Sequence, residues 1–241
     1  MFEVGENICR LCLKESELRN SHILPEFLYE NLYDEKHRTL LVSRGDEKIV
    51  QKGIREKLLC QKCETKLSRY EKYAKELILE IPNFVRDNNL ELLFSDSVDY
   101  LKLKLFQLSI LWRASVSSNA LFQQVKLGPH EDKIRAMINE EYPGKVSDYG
   151  CLMFITLDVS LLLTIIQSPF RFKKRVDGHT AYKFATGNLD WIFFVTSHKI
   201  SHVLRQLFLQ EDGLLRVIIS RYDEKSQLMR IAQILKRIEG K

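Results

Sequence analysis

Residues 8–14 read ICRLCLK and residues 55–64 read REKLLCQKCE. Each stretch holds a C-x-x-C pair, Cys9 with Cys12 and Cys60 with Cys63. Two tight knuckles, each offering two sulfurs, place four thiolates where they can surround one ion in a tetrahedral site. Zinc is the ion expected. The gap between the pairs is longer than a minimal zinc ribbon requires, so it must hold structure of its own. Within it, residues 20–27 read NSHILPEF and place His22 just before Pro25.

Composition narrows the setting. The fifth cysteine, Cys151, lies in an apolar run and reads as a small buried hydrophobe. Four paired cysteines, with an N-terminus (MFEVGENICR) lacking the basic and apolar regions of a secretion signal, point to metal in a reducing, cytoplasmic compartment rather than to disulfides. The longest apolar run, from Cys151 to Ile166, is interrupted by Asp158 and is too short for a membrane span. A chain of 241 residues accommodates one large domain or two ordinary ones, and a net charge of +5 is compatible with a polyanionic partner.

Taken in order, Pro25 ends a strand or loop at His22 because it lacks an amide donor and biases the residue before it towards extended geometry. RTLLVS at 38–43 and KIVQ at 48–51 flank Arg44-Gly45-Asp46-Glu47, the pattern of a hairpin. Over 65–81, Leu67, Tyr70, Tyr73, Ala74, Leu77 and Ile78 recur at helical spacing. A knuckle, a hairpin and a helix whose first turn carries the second ligand pair describe a treble-clef zinc module. Pro82 and the polar stretch after it set a boundary, so the expected organisation is a zinc module over 1–85, a linker over 86–99 and a domain over 100–241.

The second half predicts an α+β domain. Helices are expected over 100–113, from Gly128-Pro129 into 130–142, over 197–210 and over 223–240; aromatic and β-branched runs predict strands at 149–157, 181–186, 190–197 and 214–220. FRFKKR at 170–175 interleaves bases with aromatics, so Arg171, Lys173, Lys174 and Arg175 are candidate contacts to a nucleic-acid backbone, with the aromatics stacking on bases. No phosphate-cradling glycine loop and no G-x-S-x-G elbow occurs, which gives no basis for an NTPase or a serine hydrolase.

SHILP at 21–25 followed by LLCQKCE at 58–64, bracketed by the two knuckles, resembles the HNH or His-Me finger (ββα-metal) nucleases with a four-cysteine structural zinc, in particular the endonuclease VII-like variants. The resemblance covers residues 9–80. It implies a metal-dependent endonuclease acting on nucleic acid, DNA in the first instance. His22 would be the general base and Glu64 a ligand of a catalytic Mg²⁺ or Mn²⁺ separate from the structural zinc. Three positions depart from the family pattern, the first being Glu64 itself, since such proteins place a His or Asn just after the last Cys; a carboxylate there can still serve as a hard ligand. Ser21 stands where such proteins place a metal-binding carboxylate, and Arg55 stands near the Asn that orients the histidine. Glu26, Asp34 and His37 are the residues of the intervening loop able to supply a missing ligand. A regulatory protein partner, as in bacterial or phage defence systems, follows by analogy. The alternative is a catalytically degenerate zinc module that binds nucleic acid or protein.

Overall fold

The computed structural model describes residues 7–43, 46–51, 53–156 and 165–219. The chain enters through a knuckle closed by two backbone hydrogen bonds, Cys9 N–H to the Lys14 carbonyl at 3.0 Å and Leu13 N–H to the Cys9 carbonyl at 2.9 Å. Strand β1 (Leu18–His22) follows and pairs antiparallel with β4 (Arg55–Cys60), so that Leu18 faces Cys60 and His22 faces Arg55. Helix α1 (Gln61–Glu80) leaves directly from β4, with Cys60 at its N-cap and Cys63 in its first turn. Its buried positions, Cys63, Leu67, Tyr70 and Ala74, fall three or four apart, as an amphipathic stripe requires.

The chain between β1 and β4 turns through two short 3₁₀ segments, Glu26–Leu28 and Glu30–Leu32, and then forms the hairpin β2 (Arg38–Ser43) and β3 (Asp46–Gln51). Gly53 brings the chain back into β4 with φ +71°, and a Cβ there would collide with the Tyr29 ring. Glycine is the residue that tolerates both conditions.

A nine-stranded sheet organises the rest. Its remaining strands are β5 (Val85–Asp87), β6 (Leu92–Ser95), β7 (Cys151–Ile155), β8 (Ile165–Arg171), β9 (Thr180–Thr186), β10 (Leu189–Val195) and β11 (Leu215–Ile219), in the order β3-β2-β8-β9-β10-β7-β11-β6-β5. Alternation along the central strands divides two cores. Trp191 and Phe193 of β10 and Met153 of β7 join the core shared with α1, α2 (Tyr100–Val116) and α3 (His130–Asn139). Ile192, Phe194 and Phe154 face the other side, where Leu204 of the short helix α4 (His202–Arg205) packs with Leu207 and Phe208. Covered on both faces, β10 is buried at every position, which explains the unbroken apolar run from Trp191 to Val195; its one charge, Asp190, pairs with the buried Lys183 at 3.2 Å. Helix α2 is buried from Leu103 to Ser115 and lies against both α1 and α3.

The mixed α+β class is as expected, but the strands do not follow the expected division at 85 and 99. Residues 86–99 are not a connecting linker: β5 and β6 lie largely within them, and β6 pairs with β11. The 38–51 hairpin is not the ribbon of the metal unit either. It extends the large sheet, since β2 runs parallel to β8 with Leu40 opposite Ile165, while β1 and β4 make the ribbon beside the cysteines. Residues 197–210 form only one short helix, α4, and the turns after it close through i to i+3 bonds, Leu207 N–H to the Leu204 carbonyl and Phe208 N–H to the Arg205 carbonyl. The expected helix over 223–240 lies outside the described residues. Among the described residues no helix is long and apolar enough to cross a membrane.

Candidate metal centre and the His22 cluster

The knuckle brings Cys9 and Cys12 against the start of α1, and the ligand atoms of Cys9, Cys12, Cys60 and Cys63 all lie within 4.8 Å of one another. Cys12 Sγ and Cys60 Sγ are 3.9 Å apart. Four sulfurs about 2.3 Å from a central ion in tetrahedral geometry are separated by about 3.8 Å, so the set fits one four-coordinate metal. The Cys60 backbone N–H donates to Cys9 Sγ at 3.3 Å, a bond that favours thiolate there. The thiols also divide their protons unequally. The Cys9 thiol is lowered to about 4, chiefly by a hydrogen bond from Cys63, while Cys63 is pushed far above its usual range by that same Cys9 contact and by burial. One thiolate is thus sheltered by its neighbours, and further negative charge in so small a space needs a cation. The four cysteines are the one such ligand group among the described residues.

His22 closes the opposite end of the ribbon. Its Nε2 accepts a hydrogen bond from Arg55 Nε at 2.8 Å, which requires that nitrogen to be unprotonated. Burial and then the Arg55 charge hold the His22 pKa below its ordinary value. Glu26, four residues further along, sets Oε2 at 3.7 Å from His22 Nε2 and 3.6 Å from an Arg55 Nη. The other Glu26 oxygen accepts from the Tyr33 hydroxyl at 3.3 Å. Beneath the cluster, Arg113 of α2 is 1% exposed, donates to the His22 carbonyl at 2.9 Å, and pairs with Glu71 of α1 at 2.8 Å.

Of the expected site residues, His22, Arg55 and Glu26 come together. Ser21 is beside them in sequence but buried, and its hydroxyl accepts the Leu59 N–H at 3.2 Å, so it belongs to the ribbon rather than to a cation site. Asp34 is occupied elsewhere: it accepts from the Lys36 and Arg38 backbone N–H groups and pairs with the Arg38 guanidinium, which lowers its carboxyl to about 2. His37 stacks edge-on against Tyr33 with ring centres 5.8 Å apart and reaches the cluster only through that ring. Glu64 forms no hydrogen bond or ion pair with His22 among the described residues, and its Oε1 is buried without a partner.

The basic loop is divided by side. Arg171, Lys173, Lys174 and Arg175 are exposed, whereas Phe170 and Phe172 are buried against each other with ring centres 5.5 Å apart. Those aromatics therefore serve the core and are not a base-stacking platform. Arg113 and Glu71 are the contributors that sequence reasoning missed. The available signal was a permanent charge inside the apolar run of α2, where an arginine is kept only with partners. No family model, curated protein or solved structure matches the chain.

Proposed function

We propose that the knuckle, the β1–β4 ribbon and α1 form a treble clef stapled by a structural Zn²⁺, and that this HNH-like unit binds a nucleic-acid phosphodiester through Arg55 and His22 without a resident catalytic cation. The observation that carries this reading is the Arg55 Nε to His22 Nε2 hydrogen bond at 2.8 Å. A guanidinium already stands at the nitrogen where the related nucleases would keep a base free beside a divalent ion. An incoming phosphate would attract that planar fork, which matches its oxygens better than any other side chain does. Ser21, engaged by the backbone of β4, further disfavours a hard cation there.

The test is fluorescence-anisotropy binding of single- and double-stranded DNA and of RNA to the full chain at several salt concentrations, with Mg²⁺ and Mn²⁺ cleavage assays in parallel. Binding without cleavage, with Arg55→Gln lowering the salt slope by about one phosphate contact, is the expected result. A slope unchanged by Arg55→Gln would sink the proposal.

A second reading, metal-dependent endonuclease under partner control, is favoured by one observation: the buried, unpartnered Glu64 Oε1 is the kind of hard oxygen a Mg²⁺ or Mn²⁺ ion would take. Cleavage of plasmid DNA that disappears in His22→Ala at unchanged zinc content would establish it in place of the first.

A further inference from the structure

Away from the cysteines and from His22, a cavity of about 580 Å³ opens between α3, the segment leading into β7 and the segment that follows β10. That volume suits a bound small molecule. Its lining is unusually cationic: Lys133, Lys199 and Arg205 bring three permanent positive charges, with His130 and His198 beside them, against one carboxylate, Asp148. Among the described residues none of these three cations makes an ion pair. The Nε–H of Arg205 is buried with no acceptor. Asp148 is already engaged at Oδ2 by the Lys145 backbone N–H at 2.9 Å.

A concave site that gathers like charges and leaves a buried donor unmatched is costly unless an anion completes it. His130 adds a fixed neutral edge. Its Nδ1 lies 3.1 Å from the Tyr149 hydroxyl, and burial followed by the Lys133 charge lowers its pKa. A smaller hollow of about 230 Å³ adjoins the cavity, sharing Ser147 and Arg205 and adding Lys145 and His202. That hollow also holds a carboxylate, Glu211, whose Oε1 accepts the Val146 backbone N–H at 3.4 Å and offsets Lys145, so the excess positive charge belongs to the larger cavity and to Arg205 at its edge.

We propose that this cavity binds a phosphate-bearing small molecule of nucleotide size, with its phosphates held by Arg205, Lys133 and Lys199. The site stands independently of any role for Arg55 and His22. A polyphosphate extended towards Arg205 would meet donors from both hollows, and the guanidinium fork would supply the most directional contacts.

The experiment is calorimetric titration of the full chain with ATP, with inorganic pyrophosphate and with a 5′-phosphorylated oligothymidylate, alongside thermal unfolding at each ligand concentration. Saturable ATP binding that raises the unfolding temperature is expected. Arg205→Gln and the exposed Lys133→Gln should each weaken it about tenfold or more, the usual cost of one charge-assisted contact. Lys173→Gln, on the exposed basic loop, should leave it unchanged. Pyrophosphate binding that both cavity variants weaken supports the phosphate assignment. Binding of the oligonucleotide alone would give the cavity to a nucleic-acid strand and overturn the small-molecule assignment. Absence of saturable binding by all three ligands, or binding indifferent to both cavity variants, would overturn the site.

Discussion

The two ends of the β1–β4 ribbon solve the same electrostatic problem in opposite ways. At one end Leu18 faces Cys60 and four sulfurs converge; at the other His22 faces Arg55 and the protein's own guanidinium sits at the imidazole. The first end has ligands that need a cation from outside. The second has its cation built in. The cysteine end could hold a metal ion whatever happens at the His22 end, because the two ends share strands but not side chains.

Removing metal should have the largest effect on this comparison. Chelation, or Cys63→Ser, is expected to release one zinc per chain and to lower the unfolding temperature by about 10 °C or more, since metal binding in small thiolate sites is largely folding free energy. Zinc release followed with a colorimetric indicator, together with circular dichroism, checks this. Loss of zinc with an unchanged melting curve would mean the cysteines are not a structural staple.

Next in size is the support beneath the His22 end. Arg113→Met removes the partner of Glu71 and the donor to the His22 carbonyl. Breaking a buried pair from one side costs about 3–5 kcal/mol, and the low end applies because Glu71 remains a quarter exposed at 25%. Adding Glu71→Gln should recover part of the loss in denaturant unfolding. No recovery would mean that the His22 carbonyl bond and packing, not the ion pair, set the cost.

Arg113 also marks where sequence reasoning stopped. The C-x-x-C pairs were legible because knuckle geometry is local, and the end of β1 at His22 was legible because Pro25 constrains its neighbour. Helix α1 followed from its periodic stripe. The destination of the β2–β3 hairpin was not legible, because pairing Leu40 with Ile165 depends on strands far apart in the chain and leaves no local trace. β5 was hidden because a three-residue edge strand needs little apolar sequence, and β6, only four residues long, is defined by its pairing with the distant β11. At 197–210, Ile200, Leu204, Leu207 and Phe208 have helical spacing, yet tight turns bury them equally well. The candidate site divided in the same manner: cysteines and His22 announce their chemistry, while Arg55 gained meaning only from its register opposite His22.

In the free protein, Arg55→Gln is expected to act on the protonation of His22. The His22 pKa lies below its unfolded value because of burial first and Arg55 second. The unfolded chain therefore binds the proton more readily, and the stability associated with neutral His22 is full above about pH 6.5 and is lost as pH falls from there towards the folded pKa. Removing Arg55 while Glu26 stays near should raise the His22 pKa and shrink that loss. Ring-proton chemical shifts against pH measure it directly. An unshifted titration would show that burial alone controls His22.

Glu64→Gln separates the two ends most finely and carries the smallest expected change. If the His22 end needs no outside cation, the substitution removes only a favourable charge in the first turn of α1, about 0.5 kcal/mol by the helix-dipole effect. Nucleic-acid binding would then stay as it was, and Mn²⁺ titration followed by electron paramagnetic resonance would show no stoichiometric site in either protein. A Mn²⁺ site present in the zinc-loaded wild type and missing from Glu64→Gln would overturn that reading, because Glu64 would then hold a second cation beside the first turn of α1.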